Sequence, residues 1–161
     1  MAESIQVKQH ASKEEKYRSL LPQIKALITG ETNRISILAN VAAALKETFN
    51  FFWVGFYLYE NNILTLGPFQ GPVACMRIKV GEGVCGKSFK SKKTIIVPDV
   101  NKFEGHIACN VNSKSEIVIP VFQNGTAIGV LDVDSNQLND FDATDEHYLK
   151  SIVELIEGVL K

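Results

Sequence analysis

Two largely apolar segments on either side of Asn124-Gly125 place the strongest constraint on how this chain folds. Residues 116–122 read Glu-Ile-Val-Ile-Pro-Val-Phe, and residues 127–134 read Ala-Ile-Gly-Val-Leu-Asp-Val-Asp. Asn-Gly is the preferred pair for a two-residue turn whose twist matches that of the flanking strands. These residues therefore predict a β-hairpin and, with it, an antiparallel sheet.

Further strands and helices are predicted from composition and spacing. The aromatic residues of segment 51–59 predict a strand. Asn61-Asn62 predicts a turn, and residues 63–66 predict the strand that returns from it. Two shorter strands are predicted in the middle of the chain, at 76–80 and 94–97, and a short helix is predicted between them, at 84–90. Two helices are predicted before the sheet, one that begins at a capping box of Ser12 and Glu15 and has apolar residues at 20–28, and one with an apolar face at 35–45. Thr144-Asp145-Glu146 predicts the start of a helix after the sheet, with an apolar face at 149–159. The class is α+β, with about six antiparallel strands.

Length and charge narrow the class of protein. A chain of 161 residues fits one domain, so we expect a single domain over 1–161 with a loose tail at 1–11. Seventeen Lys and Arg against 18 Asp and Glu give a net charge of −1, which argues against nucleic acid or membrane partners. No apolar run reaches the roughly 18 residues of a membrane-spanning helix. The N-terminus lacks a signal-peptide pattern, so we expect a cytoplasmic protein.

Three cysteines, Cys75, Cys85 and Cys109, are candidates for redox chemistry. An odd number cannot all pair internally, and a reducing compartment does not favour permanent disulfides. Their spacing argues against structural zinc, so we expect no metal and no other cofactor. His106 precedes Cys109 by three residues, which leaves metal ligation, an activated thiol or an inert pair open. Neighbouring thiols would make a sulfenic acid reversible, because it can condense with them to a disulfide.

Three acids are predicted to share one end of the sheet. Asp132 and Asp134 are two residues apart on one strand and therefore point to the same face, and the hairpin brings Glu116 beside them. Such acids repel one another unless they share an ammonium group, a metal ion or a proton. The plain alternative is that Asp134 only ends the strand.

The aromatic strand has two faces, and either one face lines a cavity or both faces pack in the core. Alternation divides its large residues into Trp53, Tyr57 and Tyr59 on one face and Phe52, Phe56 and Leu58 on the other. A Trp/Tyr wall opposite a carboxylate rim would suit a small amphiphile with a cationic head and an apolar tail.

Several segments of the chain resemble the signature segments of GAF domains. These are residues 79–86, 94–100 and 128–135. The chain is more closely similar to one enzymatic branch, the free methionine-(R)-sulfoxide reductases. That similarity lies in the strand 52–57, in the spacing of the three cysteines, in Gly105-His106-Ile107-Ala108-Cys109 and in residues 131–135. It extends from about residue 17 to the end of the chain and implies a single GAF domain.

The resemblance implies an oxidoreductase that reduces free L-methionine-(R)-sulfoxide. Cys109 matches the catalytic cysteine, whose thiolate attacks the sulfoxide and becomes a sulfenic acid as methionine leaves. Cys75 and Cys85 match the other two family cysteines, one of which resolves the sulfenic acid as a disulfide that thioredoxin then reduces. The choice between them stays open, with a preference for Cys75.

The resemblance also implies a set of substrate-binding residues. Glu116, Asp132 and Asp134 match acids that hold the substrate and its sulfoxide oxygen. Trp53 and Tyr57 match the aromatic pocket for the S-methyl group. A carboxylic acid with a raised pKa would serve to protonate the departing oxygen.

Two other functions are weighed against this one. A non-enzymatic GAF module that binds a small ligand has no need for three thiols. A metal-binding sensor built from His106 and the cysteines is disfavoured by the ligand spacing. By analogy with GAF domains that pair through their terminal helices, a homodimer is also considered.

Overall fold

The computed structural model describes residues 4–160, in which helices flank a six-stranded sheet. The elements in chain order are α1 (Lys13–Ile28), α2 (Arg34–Phe49), β1 (Trp53–Glu60), β2 (Ile63–Gln70), β3 (Arg77–Lys79), α3 (Gly83–Ser91), β4 (Ile95–Val97), β5 (Ser115–Gln123), β6 (Thr126–Ser135) and α4 (Ala143–Val159). A 3₁₀ turn, Val100–Lys102, follows β4. No helix among residues 4–160 is long and apolar enough to cross a bilayer.

The strands lie in the order β3-β2-β1-β6-β5-β4, and every neighbouring pair is antiparallel. Both predicted hairpin turns are present. Asn61 and Asn62 join β1 to β2, Asn124 and Gly125 join β5 to β6, and all four have positive φ, as type I′ turns require. The predicted α+β class with an antiparallel sheet is confirmed.

The two faces of the sheet pack against different layers. Phe56, Leu131 and Val133 belong to a core cluster shared with α1, α2 and α4. Tyr57 and Val118 belong to a second cluster shared with α3. Because side chains alternate along a strand, the residues between the apolar positions of β6 point to the α3 side. That side carries the predicted acids.

The segment before α1 contains no helix or strand over its described residues. Its last residue, Ser12, caps α1 through a reciprocal capping box with Glu15. Ile5 and Val7 pack against the core, and Gln6 exchanges hydrogen bonds with the side chain of Gln23. The loose tail predicted over 1–11 falls on this segment, and residues 1–3 of it lie outside the described residues.

Gly129 permits a close approach of β1 to β6, and its replacement tests the packing of the sheet. A Cβ atom at this position would lie 2.3 Å from the carbonyl oxygen of Tyr57, which is held in the sheet. We expect Gly129→Ala to lower the free energy of unfolding by about 1–3 kcal/mol, measured by urea denaturation. The matched control is Gly158→Ala in α4, where a Cβ would meet nothing within 4 Å. It should leave stability unchanged or raise it by up to about 1 kcal/mol. Equal stabilities for the two variants would contradict the close approach.

Candidate active site

A cavity opens on the α3 side of the sheet, between the loop 71–76 and the loop 103–114. Seven of the eight site residues predicted from the sequence line it, namely Trp53, Tyr57, Cys85, Cys109, Glu116, Asp132 and Asp134. The eighth, Cys75, is bonded to Cys109 and so lies beside the cavity. The fold therefore brings all eight residues to one place.

The cysteines are divided between a disulfide and a buried thiol. Cys75, in the loop between β2 and β3, is joined to Cys109 by a disulfide, with their Cα atoms 5.4 Å apart. Both half-cystines are half-buried. Cys85 lies in the first turn of α3 as a buried free thiol. Of the two thiols weighed as partners for Cys109, the structure pairs Cys75 with it.

Three carboxyl groups lie close together on the other side of the cavity. The β5–β6 register sets Glu116 opposite Asp134, and Asp132 follows on the same face. Glu116 and Asp132 are buried, and Asp134 is half-buried. The Cys85 Sγ lies 3.9 Å from Glu116 Oε1. On the other side of the same carboxyl, His106 Nε2 lies 3.8 Å from Glu116 Oε2.

These carboxyl groups retain protons at higher pH than ordinary acids do. Removal from water raises the pKa of Asp132 to about 6. It also raises the pKa of Glu116 and of Asp134 well above their usual range, and the charge of Asp132 adds to both shifts. Close negative charges cannot all be carried without water or a cation between them. At neutral pH the cluster therefore holds at least one proton that can be donated.

Burial also shifts the pKa values of two neighbouring groups, Cys85 and His106. Burial raises the pKa of the Cys85 thiol, and the charges of Asp132 and Glu116 raise it further. This thiol is therefore protonated at neutral pH. Burial lowers the pKa of His106, so its imidazole is mostly neutral at pH 7. The contact of His106 with Glu116 is thus not a strong ion pair.

An aromatic wall borders the cavity and holds the loop that carries Cys75. The ring centroids of Trp53 and Tyr57 are 5.9 Å apart. The Trp53 indole N–H donates to the carbonyl oxygen of Pro72 at 3.1 Å. The Tyr57 hydroxyl donates to the carbonyl oxygen of Cys75 at 2.9 Å. Both rings are buried and line the cavity, and the polar atom of each is hydrogen-bonded to the loop.

The structure adds residues that the sequence analysis missed. Phe52 was predicted on the face of Phe56 and Leu58, and this prediction was wrong because β1 begins at Trp53 and strand alternation does not extend to Phe52. Phe52 instead lines the cavity. Ser113 was not considered, yet its hydroxyl donates a hydrogen bond to Asp134. A serine in a polar loop has no distinguishing pattern in the sequence.

Part of the cluster could also hold a cation. Cys85, Glu116 and Asp132 each offer one ligand atom, and these atoms lie within 4.8 Å of one another. Asp132 Oδ1 has no hydrogen-bond partner among residues 4–160. A positively charged group in the cavity would relieve this crowding, whether it is an ammonium group or a metal ion.

The raised pKa of Glu116 predicts a measurable dependence of stability on pH. Below about pH 4 this carboxyl is protonated in both states, so its ionisation does not contribute to the free energy of unfolding. As the pH rises, the unfolded chain ionises first, and the folded protein loses stability until the raised folded pKa is passed. The free energy of unfolding of Glu116→Gln should therefore equal that of the wild type near pH 4 and exceed it by roughly 1 kcal/mol or more near pH 8. Urea unfolding across this range measures the difference. A constant difference at every pH would argue against a raised pKa.

Comparison with known proteins agrees with the fold. The model of the GAF domain family matches residues 31–161. The chain is 60% identical to GAF domain-containing protein A of Dictyostelium discoideum, over 98% of this chain and 100% of that protein. It is 45% identical to the free methionine-R-sulfoxide reductase of Escherichia coli, over 92% and 91% of the two chains.

A solved structure of one of these reductases has a similar fold. The free methionine-R-sulfoxide reductase of Neisseria meningitidis, in complex with its substrate, superposes with a TM-score of 0.93 at 46% identity and covers 97% of this chain and 95% of that chain. These similarities extend over nearly the full length of each protein. The chain therefore belongs to the free methionine-R-sulfoxide reductases of the GAF domain family.

Proposed function

We propose that this protein reduces free methionine-(R)-sulfoxide to methionine by a thiol cycle. The observation that carries the proposal is the Cys75–Cys109 disulfide beside a cavity lined by proton-holding acids and an aromatic wall. The E. coli and N. meningitidis relatives are named for this activity, and the N. meningitidis structure contains its substrate.

In the first step the Cys109 thiolate transfers two electrons to the sulfoxide sulfur and receives its oxygen. A carboxyl of the Glu116, Asp132 and Asp134 cluster supplies the proton that this oxygen needs. The products are methionine, a Cys109 sulfenic acid and an ionised carboxylate, so atoms and charge balance. The raised pKa values of the cluster support this role, because an ordinary carboxyl would have no proton to give at neutral pH.

In the second step the Cys75 thiol attacks the Cys109 sulfenic acid. A disulfide forms and water leaves. A dithiol reductant, which we propose to be thioredoxin, then returns both cysteines to thiols. Cys85 is less suited to this step because its thiol is buried and its pKa is raised, so little of it is thiolate. Such a cycle needs a reducing compartment, which supports a cytoplasmic location.

The acids and the aromatic wall also suit the free amino acid. A free amino acid carries an ammonium group, which carboxylates attract, whereas the nitrogen of an internal residue in a protein is an uncharged amide. Trp53 and Tyr57 would contact the S-methyl group through their ring faces. Both rings are buried, and their hydrogen bonds to the loop 71–76 orient them in the cavity wall.

The cysteine variants test the order of the thiol cycle. Cys109→Ser should abolish methionine formation, because the oxygen acceptor is lost. Cys75→Ser should form about one methionine per protein and then stop with thioredoxin, because the sulfenic acid has no partner. Cys85→Ser is the control and should still form the disulfide. Methionine formation is followed by amino-acid analysis, and the disulfide by peptide mapping. Full turnover by Cys75→Ser with thioredoxin would assign the resolving role elsewhere.

Substrate selectivity tests the proposed function directly. With dithiothreitol as reductant, free methionine-(R)-sulfoxide should be consumed at least ten-fold faster than the free S epimer or a peptide-bound sulfoxide, a difference of about 1.4 kcal/mol in activation free energy. Asp134→Asn should reduce this rate strongly while preserving the fold. Absence of turnover, together with tight binding of another small ligand, would favour the non-enzymatic GAF module instead.

A further inference from the structure

Exposed large hydrophobic side chains are concentrated in the two loops that the disulfide joins. Seven large hydrophobic side chains are exposed in the described part of the chain, and four of them flank Cys75 or Cys109 in the sequence. These four are Val73, Met76, Ile107 and Val111, which we call the apolar collar. Singly exposed apolar residues are common and need no explanation. Their concentration beside one reactive group is different, because exposed apolar residues that cluster at one place on a surface mark interaction sites.

Chain geometry places the collar around the disulfide. The Cα atoms of Cys75 and Cys109 are 5.4 Å apart, and each collar residue is only one or two positions from one of them. Consecutive Cα atoms are about 3.8 Å apart, so every collar Cα lies within about 8 Å of a half-cystine Cα. Val73 and Ile107 also line the cavity, whereas Met76 and Val111, which are 72% and 90% exposed, do not. Met76 and Val111 are therefore available to a partner without being part of the substrate pocket.

We propose that the apolar collar is the docking surface for a protein dithiol reductant, an inference that rests on the proposed function. A protein must bring its thiolate into line with the S–S bond of a half-buried disulfide, and contact around the bond provides that alignment. The partner thiolate attacks one sulfur, forms a mixed disulfide and releases the other cysteine as a thiolate. The partner's second thiol then breaks the mixed disulfide. Two electrons and two protons pass from the partner dithiol to Cys75 and Cys109.

The charges beside the collar indicate the chemistry of the partner. Arg77 follows Met76, Lys114 lies three residues after Val111, and the acid Glu104 lies three residues before Ile107; all three side chains are exposed. None of the three forms an ion pair within residues 4–160, in contrast to the nearby Lys79, so the two cations and one anion leave a net charge of +1 beside the collar. A reductant with an apolar surface around its thiols and acidic residues outside that surface would complement this arrangement. Such charges chiefly affect the rate of association.

The test compares a protein reductant with a small one. Met76→Asp and Val111→Asp place a charge in the collar and should raise the KM for thioredoxin about ten-fold or more, as expected for loss of a central interface contact. Turnover driven by dithiothreitol should stay within about two-fold of the wild type, because a small dithiol needs no docking surface. The matched controls are Ile35→Asp and Leu138→Asp, which charge exposed apolar residues away from the cysteines in sequence and should change neither rate.

A second assay distinguishes failure of the docking surface from failure of the proposed function. The rate at which stoichiometric thioredoxin reduces the Cys75–Cys109 disulfide can be measured by stopped flow without any sulfoxide. An unchanged rate in Met76→Asp and Val111→Asp would overturn the docking surface, even if methionine sulfoxide is turned over. The milder substitutions Met76→Gln and Val111→Thr should slow the same step by less. They control for misfolding of the Asp variants. A collar variant that disrupts a homodimer while thioredoxin reduces it normally would assign the collar to a second copy of this chain.

Discussion

The pairing of β5 with β6 is the interaction on which the site depends. Its register sets Glu116 opposite Asp134, and Leu131 and Val133 alternate with the acids into the core beneath the helices. A shift of one residue would turn the acids into that core and the apolar residues toward the α3 side, so the register is strongly specified. Burial of apolar side chains on one face thereby holds three carboxyl groups together on the other. Their raised pKa values follow from this confinement.

The aromatic strand connects the carboxyl cluster to the redox cysteines. Trp53 and Tyr57 each donate a hydrogen bond to the loop that carries Cys75, so the wall of the cavity also positions that cysteine. The disulfide then joins this loop to the one that carries Cys109. The wall, the loop and the outer collar therefore form one continuous structure. A substrate would meet its inner side, and the proposed reductant would meet its outer side.

Local pattern was sufficient to predict the sheet and the position of the acids. Asn124-Gly125 specifies the turn, and pairing then follows residue by residue, so the proximity of Glu116 to Asp134 is a consequence of short-range geometry. Prediction was wrong for Phe52, because alternation applies only within the strand, and the first residue of a strand is difficult to assign. Ser113 was missed because its hydrogen bond to Asp134 depends on the path of a loop.

The sequence by itself determined an antiparallel α+β fold, and it determined which residues share each face of the strands, because the two-residue period and turn chemistry are local properties. Only the tertiary structure decided which thiol meets Cys109. Cys85 is nearer to it in the chain, 24 residues away against 34 for Cys75, yet Cys75 forms the disulfide. Separation along the chain does not report distance between two loops. That distance depends on how α3 and the aromatic strand pack against the sheet, which turns Cys85 toward the acids and leaves Cys75 beside Cys109.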